Sequence, residues 1–88
     1  MNEINWTTKA IKQLLKIGVK PIEQQIKNAV AQELADFSHS RNVKKLTNHD
    51  FDYRLRVGNY RVLFNYTVGG MVNIVTIEEV KKRDERTY

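Results

Sequence analysis

The residues whose type and spacing predict chemistry are Arg54, Arg56 and Arg61, which flank Gly58 and Asn59. Gly followed by Asn between two runs of β-rich residues is typical of a two-residue hairpin turn. That turn places Arg56 opposite Arg61, and strand alternation places Arg54 on the same face. Like charges directly opposite each other are destabilising, by a few tenths to about 1 kcal/mol. Folding alone does not favour such a face, whereas a polyanion bound across it does.

These arginines belong to two predicted β-hairpins within residues 53–80. The first hairpin joins Tyr53–Val57 to residues 60–68, and the face opposite the arginines is apolar. That face carries Tyr53, Leu55, Val57, Tyr60, Val62 and Phe64. Gly69 and Gly70 indicate another two-residue turn, which leads into residues 71–80, so we expect three consecutive antiparallel strands. If this turn is also strict, Glu78 faces Arg61 and forms a salt bridge with it.

The residues before the hairpins predict elements that cover the apolar face. Residues 3–6 alternate as in a brief edge strand of the same sheet. Thr7 and Thr8 are candidate N-caps for a helix that ends at Gly18. Pro21 suits the first turn of a second helix, which we expect to continue to residues 38–42. The apolar stripes comprise Ala10, Ile11, Leu14, Leu15 and Ile17 in the first helix, and Ile22, Ile26, Ala29, Val30, Leu34 and Phe37 in the second.

The order of elements predicts one α+β domain over residues 1–88. It consists of a short N-terminal strand, a helical hairpin and a three-stranded antiparallel β-meander, with the helices packed on one face. Residues 43–52 form a polar connector, in which Leu46 and Phe51 are the expected anchors. The uncovered face, with Arg54, Arg56, Arg61, Leu63 and Ile74, is either a binding surface or a docking site for a partner chain.

Composition narrows the class of protein and of partner. The chain has 88 residues, with 15 Lys and Arg against 10 Asp and Glu, a net charge of +5 and a pI near 9.6. This balance fits a nucleic acid or an acidic protein as partner. The absence of cysteine excludes disulfides, thiolate catalysis and Cys-based zinc sites. Because no apolar signal segment or long apolar run is present, we expect a cytoplasmic protein that does not bind a membrane.

The remaining candidates are the charged tail and the histidines. Residues 81–88 are either a solvated terminus or a basic segment whose Tyr88 stacks on a nucleobase. His39 and His49 are alternatives for an acid–base pair, but each lies in polar connector sequence without a motif, which favours surface residues. No His and carboxylate cluster has metal-ligand spacing, so we expect no metal and no other cofactor.

Residues 53–64, read together with the end of the chain, resemble the RelE toxins of type II toxin–antitoxin systems, in the RelE/ParE superfamily. The resemblance rests on Tyr-Arg-Leu-Arg-Val-Gly-Asn-Tyr-Arg-Val-Leu-Phe, followed by Val-Lys-Lys-Arg at residues 80–83 and a Tyr after a short charged stretch. The preceding helix pair has the family's length and order. The resemblance implies a RelE-like fold and a ribosome-dependent endoribonuclease that cuts mRNA in the ribosomal A site. It also implies a cognate antitoxin that inhibits the toxin, through an acidic or amphipathic helix, and a free toxin that is monomeric.

The reaction implied by this resemblance is attack of a ribose 2′-OH on the adjacent phosphate, which leaves a 2′,3′-cyclic phosphate and a 5′-OH. Arg61 would stabilise the transition state. Arg54 and Arg56 stand where family members often have lysines that orient the RNA and assist with the 2′ proton. Since the pKa of Arg exceeds about 12, Arg at these positions implies electrostatic help rather than proton abstraction.

The tail and the connector supply the other implied site residues. Arg83 is the candidate on the leaving-group side, and Lys82 and Arg86 are alternatives for that role. If Arg83 has that role, Lys82 and Arg86 are expected to bind RNA. Tyr88 would stack on and orient the base. The connector residues Lys44 and Lys45 are expected to contact phosphates without reading sequence.

Two other functions remain open at the level of sequence. A ParE-like relative shares the scaffold, inhibits DNA gyrase and cleaves no RNA. A non-enzymatic basic module would instead bind a nucleic acid or receive an acidic antitoxin. The first alternative predicts DNA damage while translation is initially intact, whereas the nuclease predicts cuts in mRNA.

Overall fold

A computed structural model describes residues 2–47 and 49–82. In chain order the elements are β1 (Asn2–Trp6), α1 (Thr8–Lys16), α2 (Lys20–Glu33), β2 (Val43–Lys45), β3 (Tyr53–Val57), β4 (Tyr60–Thr67) and β5 (Asn73–Lys82). The strands form a five-stranded sheet in the order β1-β5-β4-β3-β2. β1 runs parallel to β5, and the other neighbours are antiparallel. The predicted α+β class, with its edge strand and helical hairpin, is confirmed.

The first hairpin has the predicted turn and register. Gly58 adopts a φ of 56°, a left-handed conformation that favours Gly in a tight hairpin. Val57 pairs with Tyr60, and Arg56 pairs with Arg61. Leu55 and Val62, which also pair, are fully buried. The alternation of residue types therefore predicted correctly which residues lie on each face of the hairpin.

Helix α1 begins and ends where its capping residues predict. Thr7 Oγ1 accepts a hydrogen bond of 3.1 Å from the backbone N–H of Ala10. At the other end Gly18 has a φ of 73°, which suits the residue after a helix C-cap. The predicted stripe was too wide, however, because Ile11 and Leu15 are 43% and 54% exposed. Only one side of α1 packs on the sheet.

Helix α2 ends at Glu33, so the prediction that it continues to residues 38–42 was wrong. Asn2 donates to the carbonyls of Leu34 and Ala35, at 3.1 and 3.0 Å, which ties the helix end to β1. The Asp36 carboxylate then accepts from the backbone and hydroxyl of Ser38. Such local side-chain hydrogen bonds compete with helix continuation.

Phe37 lies beyond the helix but still reaches the core. Its ring centroid lies 5.2 Å from that of Tyr53, 5.4 Å from Phe64 and 5.0 Å from Tyr66. These four rings form an aromatic cluster between the end of α2 and the sheet. Offset and edge-to-face ring contacts of this kind add stability beyond the area that they bury.

The core lies between the helices and the apolar face of the sheet. It comprises Ala10, Leu14, Ile26, Val30, Leu34, Leu55, Val57, Val62, Phe64, Val75, Ile77 and Val80. The short edge strands add half-buried side chains that pack against this cluster, namely Ile4 and Trp6 from β1 and Val43 from β2. Within residues 2–47 and 49–82, no helix is both long and apolar enough to cross a membrane.

Two features of the sheet differ from the prediction. Part of the expected connector, Val43–Lys45, is the edge strand β2, which pairs antiparallel with β3. The loop between β4 and β5 also spans residues 68–72, so Gly69 and Gly70 do not form a strict two-residue turn. A Cβ on Gly69 would clash with the Val72 carbonyl oxygen, which explains why glycine is needed at this point of the longer loop.

The longer loop and a β-bulge change the register of β5. Phe64 pairs with Ile77 and Leu63 pairs with Glu79, so Glu78 is the extra residue. Lys81, rather than Glu78, therefore lies opposite Arg61, and the salt bridge expected from a strict turn is not supported by the register. Glu78 accepts a hydrogen bond of 3.0 Å from Asn65 Nδ2.

Candidate nucleic-acid interface

The sheet face opposite the helices holds a basic groove of about 420 Å³. We call it the arginine groove, and it is lined by Lys44, Lys45, Leu46, Thr47, His49, Arg54, Arg56 and Arg61. The strands β2, β3 and β4 supply its cations, and the segment after β2 supplies the rest. Among the described residues that line the groove, every charged residue is basic, so the groove is complementary to an anion.

Strand register brings these cations together. Lys44 lies opposite Arg54, and Arg56 lies opposite Arg61, so side chains of like charge are neighbours on one face. Arg56 is exposed, whereas Arg54 and Arg61 are half-buried. The side chains of such pairs repel one another, and a bound phosphate would offset that repulsion. The arrangement favours a ligand that carries several negative charges along its length.

The wall of the groove after β2 is held in place by hydrogen bonds to the sheet. The N–H of Leu46 donates to the Asp52 carbonyl at 2.9 Å and closes the loop. The N–H of Asp52 donates to Asn65 Oδ1 at 2.8 Å, while its carboxylate accepts from the N–H of Tyr66 at 3.1 Å. These contacts fasten the loop to β4. The predicted anchors Leu46 and Phe51 are both half-buried.

An ion-pair network lies farther along the same face. Glu79 is only 7% exposed, and its carboxylate lies 2.7 Å from Lys9 Nζ and 3.4 Å from Lys81 Nζ. Burial of the carboxyl group acts to raise the pKa of Glu79, but the two lysines outweigh it and lower that pKa. Its neighbour Leu63 pairs with Arg54 and is 3% exposed, so the prediction that Leu63 lies on an open surface was wrong.

The structure brings together five of the residues singled out in the sequence. Arg54, Arg56 and Arg61 line the arginine groove with Lys44 and Lys45. Their roles in binding and catalysis stay predictions.

The predicted tail residues are placed only in part. Lys82 pairs with Tyr60 at the end of β5, is exposed and is not among the lining residues of the groove. Arg83, Arg86 and Tyr88 lie outside the described residues. The leaving-group side of the predicted site therefore has no described geometry, and its assignment stays a prediction.

His49 is the groove residue that sequence reasoning set aside as a surface side chain. It lines the groove, whereas His39 lies in the turn after α2 and does not. The pairing of β2 with β3, which brings this loop beside the arginines, was the missing information. Within the described ranges, no group of three or more His, Asp or Glu side chains could hold a metal ion.

Chemically, the groove can bind a phosphate chain and stabilise charge that builds up on it. Guanidinium groups bind phosphate oxygens through paired N–H donors, and Lys contributes point charges along the backbone. Placed around a pentavalent phosphate, such donors lower the barrier to its formation.

Comparisons with known proteins support the fold. No family model and no curated protein matches the sequence. Among solved structures, the toxin–antitoxin complex RelBE2 from Mycobacterium tuberculosis is similar, with a TM-score of 0.73 and 23% identity over 93% of this chain and 98% of that one. A YoeB/ParE toxin from Agrobacterium tumefaciens is similar with a TM-score of 0.71 and 9% identity, over 93% of this chain and 99% of that one. The chain therefore shares the fold of these two solved proteins, as the resemblance in its sequence predicts.

Proposed function

We propose that this protein is the toxin of a type II toxin–antitoxin system and that it cleaves mRNA in the ribosomal A site. The observation that carries the proposal is the arginine groove, where three strands supply five cations and the described residues that line it include no carboxylate. The fold shared with the two solved toxins supports it. A protein that acts on translating ribosomes works in the cytoplasm.

In the proposed reaction the 2′-oxygen of a ribose attacks the adjacent phosphorus as the bond to the 5′-oxygen breaks. The 2′ proton leaves to a base, and the 5′-oxygen gains a proton, which gives a 2′,3′-cyclic phosphate and a 5′-OH. Arg61 stabilises the charge on the pentavalent phosphate, and Arg54 and Arg56 orient the RNA. Lys44 and Lys45 contact neighbouring phosphates. The tail supplies Arg83, Lys82 or Arg86 on the leaving-group side and Tyr88 for stacking on the base.

Expression of Arg61→Ala tests the catalytic proposal. We expect growth arrest and mRNA cleavage to be lost while the fold is kept, because the change removes a charge from the groove face and not an apolar side chain from the core. Arg41→Ala is the matched control, since Arg41 is an exposed arginine in the turn before β2. Primer extension on mRNA from the expressing cells measures the cuts. Undiminished cleavage by Arg61→Ala would remove Arg61 from the site.

The same experiment separates the nuclease from a gyrase inhibitor. The nuclease stops translation and leaves cuts at A-site codons. Wild-type expression that instead causes DNA damage, with mRNA intact and translation continuing at first, would assign the chain the ParE-like activity.

The proposed partner is a cognate antitoxin with an acidic or amphipathic helix. The basic groove offers charge complementarity to such a helix, and the antitoxin would then occupy the surface that RNA needs. Co-purification from a two-gene expression vector tests the complex. Neutralising Arg54 and Arg56 together should then weaken antitoxin binding if the helix lies over the groove, and unchanged binding would place it on the helical hairpin.

A further inference from the structure

His49 is the titratable side chain of the arginine groove to which the proposed reaction gives no role. It is exposed and lies in the loop between β2 and β3, so a ligand in the groove can reach it. Histidine in a nuclease groove is readily taken for an acid–base group, because imidazole titrates near neutral pH. The hydrogen bonding of the ring indicates a different use.

The orientation of the His49 ring is set by its own loop. The backbone N–H of Phe51 donates a hydrogen bond of 3.3 Å to His49 Nδ1. The ring of Phe51, which is half-buried, lies beside the imidazole with 5.8 Å between centroids. A backbone amide can only donate, so Nδ1 must be the acceptor in this contact. In a neutral imidazole the other nitrogen carries the hydrogen, and Nε2 is therefore a donor.

The surroundings of the ring favour an anion at that donor. The charged groups that line the groove with His49 are Lys44 and Lys45 from β2, Arg54 and Arg56 from β3, and Arg61 from β4. Asp50 follows His49 in the chain and is exposed, and the Asp52 carboxylate is engaged by the N–H of Tyr66. An N–H without net charge adds a hydrogen bond for phosphate and no further repulsion among the cations.

We propose that His49 binds a phosphodiester oxygen of single-stranded RNA through its Nε2–H, as an uncharged donor, and that it transfers no proton in the reaction. This inference rests on the proposed function for the identity of the ligand. The Nδ1 lone pair, which a general base would use, is held by the Phe51 amide. His49 therefore fixes the position of the RNA backbone beside the arginines.

Paired substitutions separate a donor from a proton carrier. In His49→Gln the side-chain amide can place an N–H close to the position of Nε2, whereas His49→Ala removes the donor. We expect His49→Ala to weaken binding of a short 2′-O-methyl RNA by about tenfold, as is typical for loss of a hydrogen bond to a charged group, and His49→Gln to stay within about threefold of wild type. His39→Gln is the control, because His39 lies outside the groove. Fluorescence anisotropy with the full chain measures these affinities without requiring cleavage.

Kinetics and NMR test the protonation part of the inference. In ribosome-dependent cleavage, His49→Ala should raise KM more than it lowers kcat, and its pH profile should keep the shape of the wild-type profile. Long-range ¹H–¹⁵N spectra should show the Nε2–H tautomer for His49 and a shift on addition of the 2′-O-methyl RNA, with His39 as internal reference. Equal loss in His49→Gln and His49→Ala, with disappearance of one limb of the pH profile, would overturn the inference in favour of an acid–base role.

The outcomes also distinguish this inference from the proposed function. Wild-type RNA binding and cleavage that are unaffected by either His49 substitution would remove His49 from the site and leave the nuclease standing. Tight binding of the RNA that depends on His49, in a protein that cuts no mRNA, would support the contact and overturn the nuclease. An absence of RNA binding by the wild-type chain would overturn both.

Discussion

The pairing of Arg56 with Arg61 predicts that one substitution strengthens the fold while it weakens the function. The two side chains lie directly opposite each other on β3 and β4, on a face that already holds Arg54 and Lys44. Arg56→Gln removes one charge and keeps a long polar side chain at an exposed position. It should therefore relieve cross-strand repulsion without opening a cavity.

The size of the effect follows from general values for sheets and small domains. Removal of a like-charge pair stabilises a sheet by a few tenths to about 1 kcal/mol, and 1 kcal/mol shifts the Tm of a domain this small by about 4–8 °C. We expect Arg56→Gln to raise Tm by roughly 1–8 °C at low salt. The gain should shrink in 1 M salt, where the Debye length is only about 3 Å.

Thermal unfolding followed by circular dichroism at 50 mM and 1 M NaCl measures this prediction. Arg41→Gln is the matched control, because it removes the same charge from an exposed turn outside the sheet. In parallel, RNA binding by Arg56→Gln should weaken, and the slope of log K against log salt should fall by about 0.7 for the lost phosphate contact. A lower Tm for Arg56→Gln, or a rise no larger than that of Arg41→Gln, would refute the reasoning.

Two further predictions concern stability. Glu79→Gln should lower the urea midpoint above about pH 4.5, which is the ordinary pKa of the carboxyl. Burial acts to raise the pKa of Glu79, but Lys9 and Lys81 outweigh burial and lower that pKa. A carboxyl whose pKa is depressed in the folded state contributes stability above its unfolded pKa and loses it as the pH falls through the folded value, so the difference from wild type should disappear in acid. Phe37→Ala should destabilise the protein by roughly 2–3 kcal/mol, below the range for a fully buried Phe, since Phe37 is half-buried in the aromatic cluster.

The Phe37 prediction has a control variant within the chain, and the Glu79 prediction is controlled by measurement in acid. Val68→Ala removes an apolar side chain that is 74% exposed, and it should change the urea midpoint little; an equal effect of Phe37→Ala would mean that the cluster adds nothing. A deficit of Glu79→Gln that persists unchanged at pH 2 would show that packing, and not charge, accounts for the role of Glu79.

The first hairpin shows what sequence can predict. Gly58 and Asn59 indicate the turn, and strict alternation on both sides leaves one register that buries Leu55 and Val62. A register slip by one residue would expose that set and bury the arginines, so the pattern determines the register. The placement of Arg54, Arg56 and Arg61 on one face follows from this alone.

The second hairpin shows where the same reasoning was incomplete. The buried apolar residues of β5 are Val75, Ile77 and Val80, and their spacing breaks alternation by one residue. A bulge at Glu78 lets all three face the core, and it shifts the partner of Arg61 to Lys81. Gly69 and Gly70 favoured a short turn, but the spacing of apolar residues was the stronger indication.

The part of the groove formed by β2 could not be predicted from local pattern. Val43–Lys45 has a single apolar residue, and its strand conformation depends on backbone pairing with β3. Edge strands this short carry almost no periodicity. The position of His49 depends on that pairing, which explains why its sequence context indicated an ordinary surface residue.

Parallel pairing of β1 with β5 has a consequence for how this chain is made. Asn2 pairs with Asn73 and Trp6 with Ile77, so β1 cannot pair in the sheet until β5 has been synthesised. Contacts between such distant parts of a chain form slowly and late in folding. A translation product that stops before residue 73 lacks the strand that joins β1 to β4, together with the core residues Val75, Ile77 and Val80. Such fragments cannot complete the sheet, so β5 must be translated before this domain can fold.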